Sequence, residues 1–165
     1  MAETAGTWSL GESDHNRITE HLHALLKESS ARSALLVDRT GQLLANAGEP
    51  LHFDPAAFAS LTAADFSAND QLAKMIGESE FASLFHQGEK ESMYLADVAR
   101  RVILVVLFDQ RTTVGLVRLR VKQTVTDLGQ VFNEMFSRLA AGGDAGKQPG
   151  LLEGAEDEID KLFGE

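Results

Sequence analysis

The chain has 165 residues, no cysteine and a formal charge of −10 from 25 acidic and 15 basic side chains. That length accommodates one ordinary domain with flexible ends, and the missing cysteines exclude disulfides and thiolate metal sites. An acidic surface repels phosphate backbones and anionic lipid, so nucleic acid is not an expected partner.

No apolar run approaches the length of a membrane span, and residues 1–10 lack a basic or apolar signal region, so a cytoplasmic protein with no membrane insertion is expected. Residues 1–12 are small and polar and read as a flexible N-terminus. Ser13 or Asp14 is expected to cap a first helix, with Ile18, Leu22, Leu25 and Leu26 as its apolar stripe. Ser33–Asp38 and Gln42–Ala47 read as strands, joined by Asp38-Arg39-Thr40-Gly41, whose glycine can take the left-handed position. Asp54-Pro55 is a strong helix start and Gly77 a natural stop. Between them Phe58, Leu61, Ala68, Leu72 and Met75 mark one apolar stripe, which Phe66, Ala73 and Ile76 extend. Ala64, Ser67 and Ala68 leave a patch of small side chains on that helix.

Ala82–Gln87, Glu91–Val98 and Val102–Phe108 read as a three-stranded meander. The third of these is an unbroken, β-branched apolar run, and a strand with one wet face would alternate, so both of its faces should be covered. Thr112 or Thr113 can cap a last long helix carrying Val114, Val117, Val121, Val125, Leu128, Phe132, Met135 and Leu139 at spacings of three and four. The order α-β-β-α-β-β-β-α predicts an α+β domain over residues 13–140, a five-stranded antiparallel sheet with helices on both faces. Residues 141–150 read as a Gly-rich linker, and 151–165 as an acidic tail that carries Ile159, Leu162 and Phe163.

Catalytic signatures are missing. The sequence has no Gly-rich phosphate loop ending in Gly-Lys-Ser/Thr, no Gly-x-Ser-x-Gly and no His-Glu-x-x-His. His21 and His23 sit two apart and so on different helix faces. Asp97 and Asp109 are separated by a strand and its turn, without a supporting partner. Arg39, Arg100, Arg101 and Arg111 fall at turns or element ends and read as solubilising charges rather than arginine fingers. A protein that is not an enzyme and uses no cofactor or metal is expected. The strand at Ala82–Gln87 should be a sheet edge with apolar Leu84 and Phe85 and weak protection, which makes pairing with a second copy a physical expectation.

Leu35-Leu36-Val37-Asp38, Gly41-Gln42-Leu43, Ala59-Ser60-Leu61-Thr62-Ala63, Leu72-Ala73-Lys74-Met75-Ile76-Gly77-Glu78, Phe85-His86-Gln87-Gly88 and the stretch from Arg101 to Val121 form a collinear set. Together they resemble the roadblock family of dynein light-chain type, over about residues 13 to 140, with Glu158–Phe163 similar to an acidic amphipathic terminus found in it. The resemblance implies a dimer, here a homodimer, whose second helix and third strand pair across a two-fold axis to join two sheets into one. On this chain Phe58, Leu61, Leu72, Leu84 and Phe85 fall at that interface. The resemblance further implies binding of a Ras-like small GTPase and stimulation of its GTP hydrolysis, by repositioning the GTPase's own residues. Family members of this kind set cell polarity for bacterial motility, which implies concentration at a cell pole. The partner-facing positions carry over to Ala64, Ser67, Ala68 and Gln71, with Ile159, Leu162 and Phe163 of the tail as a second contact. Asp65, Asn69, Asp70 and Gln71 are more polar or bulkier than the family's Ala, Gly and Met run. That departure favours, as the alternative, a scaffold that binds a GTPase without stimulating hydrolysis.

Overall fold

A computed structural model describes residues 10–145. The elements are α1 (Glu12–Ser29), β1 (Ser33–Asp38), β2 (Leu43–Gly48), α2 (Pro55–Met75), β3 (Ser83–Gln87), β4 (Ser92–Val98), β5 (Val102–Phe108) and α3 (Val114–Ala145). The five strands make one antiparallel sheet in the order β2-β1-β5-β4-β3, so β2 and β3 are its edges.

The register explains the layering. Leu35 pairs with Val105, Val105 with Leu95 and Leu95 with Leu84, so these side chains share one face. There they meet Ala59 and Phe66 of α2 in a buried cluster that also takes in Val37 and Ile103. The alternate residues, among them Ala34, Leu36, Leu104 and Val106, are buried on the opposite face. Arg118 of α3 lies over the Tyr94 ring on that side, and α1 contacts β1 and β2. The two-sided burial expected of Val102–Phe108 is observed, with only Leu107 short of full burial. Burying a Leu or Phe side chain contributes about 1.5–3 kcal/mol, so this double-sided strand anchors the domain.

Local chemistry sets the element ends. Asp54 accepts from the Ala56 amide at 3.0 Å and Pro55 opens α2, while Gly77 leaves it at φ +89. Gly41 has φ +97, and a Cβ there would lie 3.1 Å from Ser60 Cα, so the turn and α2 can approach only at a glycine. Thr113, rather than Thr112, caps α3, accepting from the Leu116 amide at 3.3 Å. At one end of the sheet Glu49 accepts from Arg32 Nε at 2.7 Å and pairs with Arg111 at 2.9 Å, and Arg111 also bonds Asp109.

Two boundaries differ from expectation. α1 starts at Glu12 behind Gly11, so Ser13 and Asp14 lie inside its first turn and cap nothing from outside. α3 continues through Ala141, Gly142, Gly143 and Asp144 to Ala145, residues expected to be linker. Extending an existing helix needs no new nucleus, and this offsets the poor propensity of two glycines. On α2 the expected stripe and its extension divide, with Phe66 and Ala73 buried and Leu61, Ala68, Leu72 and Met75 exposed.

The contacts separate one compact unit, Met1–Val131, from a second that begins at Phe132. Within the described part of the second, the rings of Phe132 and Phe136 stack with centroids 6.3 Å apart. Among the described residues no helix is long and apolar enough to cross a membrane.

Candidate functional site

α2 has three faces, each readable from residue spacing. Ala59, Thr62, Ala63, Phe66, Asn69 and Ala73 are buried against the sheet. Leu61, Ala64, Ala68, Leu72 and Met75 recur every three or four residues and form an exposed apolar line, in which Leu61, Leu72 and Met75 are 71%, 58% and 81% exposed. Ser60, Ser67, Gln71 and Lys74 form a second exposed line, and it is polar. The four positions expected to face a partner are all exposed and, at spacings of three and four, adjoin on one face where the two lines meet. Ala64 and Ala68 border the apolar line, and Ser67 and Gln71 belong to the polar one.

The residues expected at a dimer interface also separate. Leu61 and Leu72 are solvent-facing on α2. Phe58 sits at the margin of the core, partly buried against it, with its ring 4.6 Å from that of Phe53. Leu84 and Phe85 are adjacent on β3 and so point to opposite faces. Leu84 packs partly into the α2-side core, while Phe85 stacks on Phe108 at 6.0 Å on the other side. Ile159, Leu162 and Phe163 lie outside the described residues.

The two sheet edges are unlike. On β2 the register jumps, with Leu36 opposite Ala45 and Val37 opposite Leu43, so Leu44 is a bulge. On β3 the five residues pair with β4 in unbroken register and include no Lys, Arg, Asp, Glu or Pro. Only β3 offers a regular, uncharged edge to another strand.

Arg39, expected to be a surface charge, is a clamp. From the β1–β2 turn it donates to Asp70 Oδ2 of α2 at 2.8 Å, pairs with Asp97 of β4, and lies over the Phe66 ring at 4.9 Å. Burial works against its charge, but hydrogen bonds to Asp97 and Asp70 outweigh it and raise the guanidinium pKa. The only signal in the sequence is an arginine in a tight turn, because its partners are distant in the chain. The polar departures on α2 have local explanations. Asp70 holds Arg39, Asp65 pairs with His86 at 2.8 Å, and Asn69 is buried. Of the four, Gln71 and the 40%-exposed Asp65 side chain are left to alter the exposed surface. Asp97 lies on β4 opposite Ile103 and Asp109 just past the other end of β5, each bonded to an arginine, so they form no carboxylate pair.

Comparison with known proteins identifies the fold and family. The Roadblock/LC7 domain profile matches residues 17–108. MglB of Myxococcus xanthus superposes with a TM-score of 0.72 at 42% identity, covering 77% of this chain and 96% of that one. The gliding protein MglB of Thermus thermophilus gives 0.73 at 32% identity, covering 78% and 97%. A structure described as MglB with tetrameric arrangement gives 0.74 at 32% identity, covering 78% and 96%. No curated protein sequence gives a significant match. With the five-stranded sheet, the profile and these likenesses all spanning the same region, the chain belongs to the Roadblock/LC7 family.

Proposed function

We propose that this protein is a homodimeric, non-catalytic regulator of a Ras-like small GTPase of the MglA type. It stimulates GTP hydrolysis by docking and repositioning the GTPase's own residues, in bacterial cell polarity and motility. The observation that carries this reading is the presence of two adjoining exposed lines on α2, one apolar and one polar, in a chain 42% identical to an MglB. The apolar line, Leu61-Ala64-Ala68-Leu72-Met75, and the neighbouring β3 edge suit a second copy, since the small alanines allow two helices to approach closely. The polar line, with Ser67 and Gln71, suits a GTPase surface that docks and releases.

The test is phosphate release from the GTP-loaded MglA-type GTPase mixed with the full-length protein. Hydrolysis is expected to rise and saturate with dimer concentration, and an unchanged rate at saturation overturns the reading. The scaffold alternative rested on the polar residues of α2, of which Asp70 and Asp65 are paired within the domain and Asn69 is buried. Binding of the GTPase with equal affinity in its GTP and GDP forms would restore it.

A further inference from the structure

Between the C-terminal half of α2 and the β4–β5 turn lies a cleft of about 360 Å³, walled by Ser67 and Glu80. Lys74 and Arg100 stand at its mouth, and Arg39 and Asp70 lie deeper, their side chains 29% and 22% exposed. The inner charges are engaged with one another through the Arg39 clamp. The outer cations are not. Lys74 makes no ion pair among the described residues, and Arg100, 80% exposed, reaches Glu80 only at 3.7 Å. An exposed pair at that separation holds neither side chain firmly. Two available cations therefore flank one opening in a chain of net charge −10.

The backbone at Arg100 is constrained. It and Ala99 occupy the left-handed region, φ +58 and +53, in the three-residue turn between Val98 and Val102, positions that favour Asn or Gly. The Arg100 amide donates to Asp97 Oδ2 at 3.1 Å, so the turn that carries Arg100 is tied to the carboxylate that also holds Arg39.

We propose that this cleft is a carboxylate-binding subsite of the GTPase-docking surface. An acidic side chain of the GTPase enters between Lys74 and Arg100, with the Ser67 hydroxyl as a further donor. The inference rests on the GTPase reading above and adds the chemistry of recognition. Lys74 and Ser67 lie on the polar line of α2, away from Leu61 and Leu72, so a second copy seated on the apolar line leaves the cleft open.

The experiment measures association of the full-length protein with the GTP-loaded MglA-type GTPase at about 50 and about 300 mM NaCl. The double variant Lys74→Glu with Arg100→Glu is expected to associate roughly tenfold more slowly at the lower salt and to lose most of the salt dependence. Lys74→Gln with Arg100→Gln should fall between the double reversal and wild type, which separates lost attraction from a folding defect. Wild-type kinetics in both variants at both salts overturn the subsite while leaving the GTPase reading intact. A change of dimer sedimentation with unchanged GTPase association also overturns it, because the cleft would then serve the second copy. Failure of the wild-type protein to bind the GTPase removes both readings.

Discussion

Arg39 and Asp70 meet at 2.8 Å although one lies in the first hairpin turn and the other on α2, and the same guanidinium reaches Asp97 on β4. One side chain thus ties together three elements that are distant in sequence. Replacing it with Met would strand two carboxylates that are 22% and 13% exposed. Breaking a buried pair costs about 3–5 kcal/mol, and partial exposure lowers that to about 2 here. Urea denaturation of Arg39→Met should show that loss, and Asp97→Asn, which removes a charge instead of stranding one, should lose less. Equal midpoints for Arg39→Met and wild type would show that the clamp contributes nothing.

The charged end of the sheet makes stability depend on acid. Hydrogen bonds from Arg111 and then Arg32 hold the Glu49 carboxyl below its ordinary 4.5, and Arg111 holds Asp109 below its ordinary 3.8. Both folded-state values lie under the unfolded ones. Their stabilisation is therefore complete above the unfolded pKa and lost as the pH falls through the folded one. Urea midpoints should hold steady at neutral pH and decline below about pH 4.5, with a shallower decline in Glu49→Gln. Parallel declines in the two proteins would remove Glu49 from the acid response.

The turn at Ala99-Arg100 places two side chains where glycine or asparagine is favoured. A left-handed residue of ordinary type costs roughly 1–2 kcal/mol, and asparagine relieves part of it. Ala99→Asn should therefore raise stability by about 0.5–1 kcal/mol, read as a higher melting temperature. A lowered one would mean that the Ala99 methyl makes a packing contact worth more than the strain.

Neighbouring substitutions on α2 should have different consequences. Ala68→Arg places a charge on the apolar line and should shift the protein towards monomer in sedimentation. Ser67→Arg places it on the polar line and should preserve the dimer while abolishing GTPase binding. If both variants lose the dimer, or both keep it and bind, the two-line division of α2 is wrong.

The architecture is legible in the sequence because its signals are local. Val102–Phe108 announces two-sided burial through seven apolar residues without alternation, and Asp54-Pro55 supplies a cap and a fixed φ at one helix start. That α2 carries apolar residues on more than one side is legible, but the boundary between its buried and exposed faces is not. Alanines lie on both its buried and exposed sides, Ala59, Ala63 and Ala73 inward and Ala64 and Ala68 outward, so the pattern shows little contrast between faces. Arg39 escapes notice for a different reason. Its meaning resides in Asp70 and Asp97, brought near by the register of the sheet and the path of α2, and no spacing along the chain encodes that meeting.

The bulge at Leu44 bears on how large an assembly this sheet can make. A sheet with two flat, uncharged edges is a monomer unit for a fibre, since each addition exposes another edge like the one consumed. Here one edge is kinked and the other regular. Once two copies join through their regular edges about a two-fold axis, only kinked edges face outward. Growth by strand addition stops at two, and any larger assembly must use a surface other than the sheet. In the proposed dimer, a single unpaired leucine in the second strand would thus make pairing self-limiting.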